Sequence, residues 1–334
     1  MKLIRTEEAV GHVLCHDMTQ IIPGEYKGAR FRKGHIVTAE DIPVLLSMGK
    51  EHLYVWELTE GKLHENEAAV RLAELCGSEG MKLSEAKEGK IELSAAIDGC
   101  FLLDSERLLR VNMVDEVMIA TRRGGTAVKA GDKLAGTRVI PLIIDERRLQ
   151  EAEEAAGKAP LMRVLPYKLK TAAIVTTGSE VKKGLIQDRF TPVVKEKLAS
   201  FGIETIAGEL PGDDTEEVTA SIQRMKDSGA DIILCTGGMS VDPDDNTPGA
   251  IRKSGARVVS YGTPVLPGAM FLMGYYPDGR PVLGLPGCVM FAMETVFDLL
   301  LPRIAAGVEL TKRDIALLGE EGLLQARGRA ASKF

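Results

Sequence analysis

The chain predicts an α/β protein whose second half is a doubly wound, mostly parallel sheet with helices on both faces. Three observations support this. After residue 170, short apolar runs alternate with stretches of helical period, the pattern of buried strands joined by crossover helices. Those runs are apolar at successive positions, as strands covered on both faces must be. Several end in a glycine turn, as in Thr236-Gly237-Gly238, and in such sheets the turns at the strands' carboxyl ends are where ligands bind.

The first half lacks this regularity and reads as a smaller α+β region over 1–157, with two subdomains at about 1–60 and 61–157. Thr38 and Asp41 resemble a capping box, Gly49 a helix end, and residues 52–58 a strand. An alanine- and glutamate-rich helix is expected from Leu63 to Gly77. Short strand-like pieces follow, Glu116 to Ile119 and Arg138 to Ile140 among them, and then a charged helix from Asp145 to Gly157. Residues 158–169 carry two prolines and no period, which marks the linker.

The second domain is expected over 170–307. Its strands are read at Thr171 to Val175, Glu204 to Ile206, Ile232 to Cys235, Arg257 to Ser260 and Pro281 to Leu285. Val194, Leu198 and Phe201 share one face of a helix capped by Thr191 with Pro192 at its first position, and Val218, Ile222 and Met225 share a face of the next. Asn246 or Thr247 caps a further helix that has Pro248 in its first turn. A long apolar helix is expected from about Cys288 to Ala305, and residues 308–334 form a carboxyl-terminal extension that frays beyond Glu320.

Composition narrows the function classes. At 334 residues with 45% hydrophobic residues, the chain has ample core for two or three domains. A net charge of -6 argues against bulk nucleic-acid binding. The five cysteines are scattered and never form a C-x-x-C pair, which points away from a disulfide framework and a zinc site and toward a reducing, cytoplasmic interior. No signal-like segment appears, and Glu294, Asp298 and Arg303 interrupt the apolar stretches before they reach membrane-spanning length. His12 and His16 have a helix-borne ligand spacing but lie in a strand-compatible segment, and no histidine follows the linker. A histidine triad or histidine–zinc site in the second domain is therefore excluded from its own residues.

Chemistry concentrates in four turns: Thr176-Thr177-Gly178-Ser179-Glu180, Leu210-Pro211-Gly212-Asp213-Asp214, Thr236-Gly237-Gly238-Met239-Ser240 with Asp242, Asp244 and Asp245, and Leu285-Pro286-Gly287-Cys288. Each alone is an ordinary connector, and Asp213 or Asp214 can simply cap the next helix with Glu216 or Glu217. Together they place hydroxyls, amides and carboxylates on one sheet edge, which suits a phosphorylated ligand held by amides and a magnesium ion held by aspartates. A calcium loop beginning at Asp242 is rejected because its sixth position is Thr247 and its twelfth Lys253. Cys288 is read as a small apolar residue starting a buried helix rather than as a reactive thiolate.

In order, TTGSEV, then Gly184 to Asp188, Gly212-Asp213-Asp214, TGGMS, DPDDNTP and LPG resemble the molybdopterin-binding domain of molybdenum-cofactor biosynthesis, the Mog/MoeA-like fold, over roughly Lys170 to Gly307. The resemblance implies binding of a pterin phosphate, with adenylylation of molybdopterin or molybdate insertion as the family's reactions. It places Asp213 and Asp245 at the acidic catalytic positions. Ligand contacts fall on Thr177, Gly178, Ser179, Glu180, Asp188, Thr236, Gly237, Gly238, Ser240, Pro286 and Gly287, and magnesium on Asp242, Asp244 and Asp245. The expected cofactors are magnesium, molybdopterin as ligand or substrate, and ATP. The partner is a small pterin or nucleotide rather than nucleic acid or membrane, and the protein a homo-oligomer, dimer or trimer. Residues 31–57 resemble the segment preceding the pterin domain in the molybdenumtransferase. Two departures bear on turnover: Pro267-Gly268-Ala269-Met270 replaces P-G-K-P, and Leu285-Pro286-Gly287-Cys288-Val289 replaces L-P-G-N-P. Three readings stand: an enzyme of cofactor assembly, a pterin or nucleotide carrier or sensor, and a nucleotide-pyrophosphate hydrolase of the competence-damage type.

Overall fold

A computed structural model of the chain describes residues 2–22, 26–55, 61–240, 245–320 and 322–323. Its contacts divide it into two compact units, Met1–Ser94 with Asp104–Arg122 and Lys133–Met162, and Ala95–Leu103 with Arg123–Asp132 and Arg163–Phe334. Residues 95–103 and 123–132, read with the amino-terminal region from sequence, thus lie in the second unit. Met162–Leu165, inside the stretch read as linker, is a strand. The reason is pairing across sequence: Gly99–Leu103 lies between Thr126–Val128 and Met162–Leu165 in a three-stranded sheet, and no local pattern announces such partners.

The first unit is α+β. Lys2–Arg5 pairs with His52–Val55, and Met18–Ile22 folds against Tyr26–Phe31 as a hairpin. Leu14, Leu45, Leu53 and Val55 form the core beneath them. Asp41–Ser47 is helical with the Asp41 carboxylate accepting from the Thr38 amide and hydroxyl, both at 2.8 Å. The strand expected over 52–58 runs to Val55, and residues 56–60 lie outside the described residues. A four-stranded sheet follows, ordered Met81–Leu83, Lys90–Ala95, Lys133–Val139, Val117–Thr121. The helix Glu146–Ala156 starts at Asp145, which accepts from the Arg147 amide at 3.0 Å, and stops at Gly157 with φ +68.

His64 caps the helix Glu65–Glu74. Its Nδ1 accepts the Asn66 amide at 3.2 Å, and Glu67 accepts the His64 amide at 3.3 Å. The same ring nitrogen lies 3.1 Å from the Lys33 ammonium, and Nε2 donates to the Cys15 carbonyl at 2.8 Å. His12 and His16 are not on a helix, since Val13 and Leu14 between them bridge to Ile36 and Val55.

The second unit holds a six-stranded sheet. Its elements are β1 (Thr171–Thr176), α1 (Phe190–Ala199), β2 (Glu204–Glu209), α2 (Thr215–Asp227), β3 (Ile232–Thr236), α3 (Thr247–Lys253), β4 (Arg257–Tyr261), β5 (Leu272–Tyr275), β6 (Pro281–Leu285) and α4 (Val296–Ala305). The strand order is β2-β1-β3-β6-β5-β4. β2, β1, β3 and β6 are parallel, and β5 runs antiparallel between β6 and β4. Alternate residues of the central strands face opposite cores. Ile174, Ile232 and Leu234 pack with Val194 and Leu198 of α1 and Phe297, Leu300 and Ile304 of α4. Val175, Ile233 and Cys235 pack with Val218, Ile222 and Met225 of α2 and Ile251 of α3. Helices therefore cover both faces, as the uninterrupted apolar strands require.

Three local readings change. α1 begins at Phe190 because Asp188 accepts the Phe190 and Thr191 amides at 2.8 and 3.1 Å, so Asp188 rather than Thr191 satisfies the helix start. The helix expected from Cys288 begins at Val296 instead, after a short 3-10 turn at Gly287–Met290. There Thr295 and Asp298 form a capping box, and Asp298 accepts the Thr295 amide at 2.8 Å. β5, within Phe271 to Tyr276, is apolar without a readable period and escapes sequence reading.

Candidate functional site

The parallel register brings the four turns to one edge. Thr176 pairs with Thr236 and Thr236 with Leu285, while Val175 pairs with Glu209. The turns after β1, β2, β3 and β6 therefore leave the sheet side by side. The threonines at this edge bond to one another. Thr176 Oγ1 lies 3.0 Å from Thr191 Oγ1 and accepts from Thr236 Oγ1 at 3.2 Å. Thr177 Oγ1 donates to the Thr236 carbonyl at 3.2 Å and lies 3.2 Å from Thr247 Oγ1. Thr177 and Thr236, expected as ligand contacts, are buried; the Thr177 hydroxyl is engaged by the Thr236 carbonyl and Thr247, and the Thr236 hydroxyl by Thr176, which sets the spacing of the β1 and β3 turns.

Glycine makes that spacing possible. Gly237 has φ +81, and a Cβ there would lie 2.3 Å from the Thr177 carbonyl oxygen. Gly238 has φ +52, and its Cβ would lie 2.9 Å from Thr247 Oγ1. A side chain at Gly237 would force the two turns apart, and one at Gly238 would displace the Thr247 hydroxyl.

The acids divide by role. Asp214 is the cap of α2, accepting the Glu216 and Glu217 amides at 3.0 and 2.9 Å. Asp213 points elsewhere: its carboxylate accepts the Ser179 amide at 2.9 Å, joining the β2 turn to the β1 turn. Asp245 accepts the Ser240 amide at 2.9 Å and so closes its own loop. Asp242 and Asp244 lie outside the described residues. Gly178 and Ser179 are half-buried in the β1 turn, whereas Glu180 and Ser240 are exposed. Pro286 is buried, and Gly287 is exposed with open space where a Cβ would stand. Asp188, expected as a ligand contact, serves the start of α1.

Two residues were not expected from sequence to join the turns of this edge, Tyr261 and Asn246, the latter read only as a helix cap, a bond its side chain does not make. The Tyr261 hydroxyl, at the end of β4, donates to the Met239 carbonyl at 2.8 Å, and the Ser240 carbonyl lies at 3.3 Å. The Asn246 side chain donates to the Asp213 carbonyl at 3.0 Å, tying the β3 loop to the β2 turn. Tyr261 had one signal in the sequence, its place between the strand read over Arg257 to Ser260 and Gly262.

Residues 173–306 match the family model described as "Probable molybdopterin binding domain". This part of the chain belongs to the molybdopterin-binding family of molybdenum-cofactor biosynthesis. Residues 3–57 match a second model, "Domain of unknown function (DUF8806)". The chain is similar to the molybdopterin molybdenumtransferase of Synechococcus elongatus, 26% identical over 196 residues, covering 55% of this chain and 46% of that protein. It is also similar to a CinA-like protein of Mycobacterium tuberculosis, 36% identical over 76 residues, covering 23% of this chain and 18% of that one. The chain thus spans less than half the length of these curated relatives. Among solved structures, the molybdopterin biosynthesis enzyme MoaB of Thermus thermophilus is similar at 25% identity, covering 42% of this chain and 98% of that one, with a TM-score of 0.37.

Several features of the molybdopterin-binding domain decide what its edge can do. Ala269 stands where the resemblance expects a lysine. Lys182 is bound to Glu217, and Lys253 to Glu216 at 2.8 Å, so both are engaged with acids of the first turn of α2. Cys288 is half-buried, and burial pushes its thiol pKa up, which agrees with an apolar role and not with an activated thiolate. Among the described residues no group of three or more His, Cys, Asp or Glu could hold a metal ion. Asp213 and Asp245 do offer hard carboxylate oxygens on one edge. Magnesium takes one or two carboxylates and completes its shell with phosphate oxygens and water, so this donor set fits it. No helix among the described residues is long and apolar enough to cross a membrane.

Proposed function

We propose that the molybdopterin-binding domain holds molybdopterin, or its adenylylated form, at the carboxyl edge of β1, β3 and β6, and that binding rather than turnover is its first role. The observation that carries this is the convergence of the family's ordered motifs on one sheet edge, with Asp213, Asp245 and the glycine turn of Gly237 and Gly238 in the turns of that edge. Asp213 and Asp245, with Asp242 and Asp244, would hold magnesium, which when bound neutralises phosphate oxygens. Gly237, Gly238 and the Pro286-Gly287 turn would place backbone amides toward the phosphate and Ser240 its hydroxyl, while Ser179 orients Asp213.

Ala269 weighs against turnover. Transfer of an adenylyl group or of molybdate develops charge on oxygens, and a fixed cation is one way to stabilise it. An activity of adenylyl transfer or molybdenum insertion would then rest on the aspartate-bound magnesium. A second reading, a nucleotide-pyrophosphate hydrolase, is favoured by the 36% identity to the CinA-like protein across 76 residues. The same reading places the chain in the cytoplasm as a homo-oligomer acting on a small molecule, and sedimentation of the purified protein tests the assembly.

The deciding experiment incubates the full chain with molybdopterin, ATP, molybdate and magnesium, and repeats it with Asp245→Asn. Tight pterin binding without product supports the carrier, and turnover lost in Asp245→Asn supports the enzyme. Hydrolysis of ATP without pterin binding supports the hydrolase, and absence of both kinds of binding overturns the assignment.

A further inference from the structure

We infer that Tyr261 and Asn246 are positioning residues that fix Asp245 and Asp213 relative to one another; the inference rests on the proposed binding edge. The β3 loop leaves the sheet after Thr236, and the chain enters α3 at Thr247. Thr247 donates its amide to the Gly238 carbonyl at 3.2 Å. Met239 turns its side chain down onto the sheet, where a Cβ on Gly284 would lie 2.5 Å from the methionine methyl. That packing carries the main chain of Met239 and Ser240 within reach of the Tyr261 hydroxyl, which donates to the Met239 carbonyl at 2.8 Å. The peptide so oriented leaves the Ser240 amide directed at the Asp245 carboxylate, 2.9 Å away. Removing the phenol frees the peptide to rotate, and the amide that holds Asp245 rotates with it.

Asn246 does the corresponding work toward the β2 turn. Its side-chain amide donates to the Asp213 carbonyl at 3.0 Å, and the Asp213 carboxylate in turn accepts the Ser179 amide at 2.9 Å. The residue next to Asp245 is thereby bonded to the main chain of Asp213, so the separation of the two carboxylates is set by the Asn246 bridge together with the Tyr261 clamp. Tyr261 is suited to the task. Burial, and then the negative charge of Asp245, raise its pKa, so the phenol remains a donor through the physiological range. The Arg252 guanidinium lies 5.8 Å from its ring centroid and holds the ring in place.

The test uses the full chain with Tyr261→Phe, Asn246→Ala and, as a control at the opposite sheet edge, Tyr276→Phe. Two readouts are taken, amide hydrogen exchange and titration with molybdopterin in magnesium. Tyr261→Phe is expected to speed exchange of the Ser240 amide at least about tenfold, Asn246→Ala that of Ser179, and Tyr276→Phe neither. Tyr261→Phe is expected to weaken binding about tenfold, and the loss should not add to that of Asp245→Asn, as for two members of one linkage. Unchanged exchange at Ser240 and Ser179, or fully additive binding losses, overturns the inference. If the unsubstituted protein fails to bind molybdopterin, the proposed function falls, while the exchange data still decide whether these two residues position the acids.

Discussion

Replacing Gly237 with alanine should destabilise the molybdopterin-binding domain by about 2–4 kcal/mol, and Gly229 supplies the control. Both glycines have φ +81, so alanine at either meets the same left-handed strain of about 1–2 kcal/mol. Both also gain the same small benefit, about 0.4–1 kcal/mol, from a less flexible unfolded chain. Their surroundings differ. No atom lies within 4 Å of a Cβ at Gly229, whereas at Gly237 the Thr177 carbonyl oxygen would stand at 2.3 Å and Thr177 Oγ1 at 2.7 Å. The nearest atom is backbone and cannot rotate away, so the β1 and β3 turns must separate at an overpacking cost of about 1–3 kcal/mol. Gly229→Ala is therefore expected to cost about 1 kcal/mol or less. Urea unfolding of both variants, followed by circular dichroism at constant temperature, gives the difference through the midpoint at fixed slope. Equal costs, within about 0.5 kcal/mol, would refute the claim that the two turns are pressed together at this glycine.

Asp214→Ala should cost about 1 kcal/mol through loss of the α2 cap and leave molybdopterin affinity unchanged; a loss of affinity at unchanged stability would move Asp214 into the site. The first unit should lose stability on acidification. Burial first, and then the charges of Lys33 and His16, lower the His64 pKa, while Glu67 and the Cys15 carbonyl act against this; burial and Lys50 lower that of His16, against Asp17. With folded values below the unfolded value near 6.5, these rings contribute stability that is complete above about pH 6.5 and is lost as the pH falls through their folded pKa values. Thermal unfolding between pH 7.5 and 5, roughly the range that matters for histidine, should show the loss shrinking in His64→Gln, and an identical pH slope would count against it. A fragment of residues 168–334 should unfold cooperatively but at lower temperature than the second unit within the whole chain. It lacks the strands Gly99–Leu103 and Thr126–Val128, which pack on α4, and the Tyr167 hydroxyl bond to the Gly99 carbonyl at 2.9 Å. A calorimetric scan showing no transition, or an unchanged midpoint, would contradict this.

What the sequence by itself determined is the architecture from Thr171 to Ala305, β5 and the start of α4 excepted, and the gathering of its turns at one sheet edge. Strands buried on both faces must be apolar at every position, and helices on a sheet must be apolar on one side, so both leave a period in the chain. The β6 span Pro281–Leu285 and the helix between Asp145 and Gly157 were legible for that reason. The turns at Gly178 and Gly237-Gly238 were legible because a positive φ leaves few choices of residue. Only the tertiary structure decided the division of labour among the acids. Asp188 and Asp214 accept amides two and three residues on and Asp245 one five residues back, whereas Asp213 accepts the Ser179 amide 34 positions away, a partner that only the fold supplies. The same holds for Tyr261 and Asn246, whose partners lie 22 and 33 positions away, and for residues 95–103 and 123–132, which join the second unit through strand pairing and packing on α4. Local periodicity records which face of an element is buried; it does not record the partner that a side chain or a strand edge will meet.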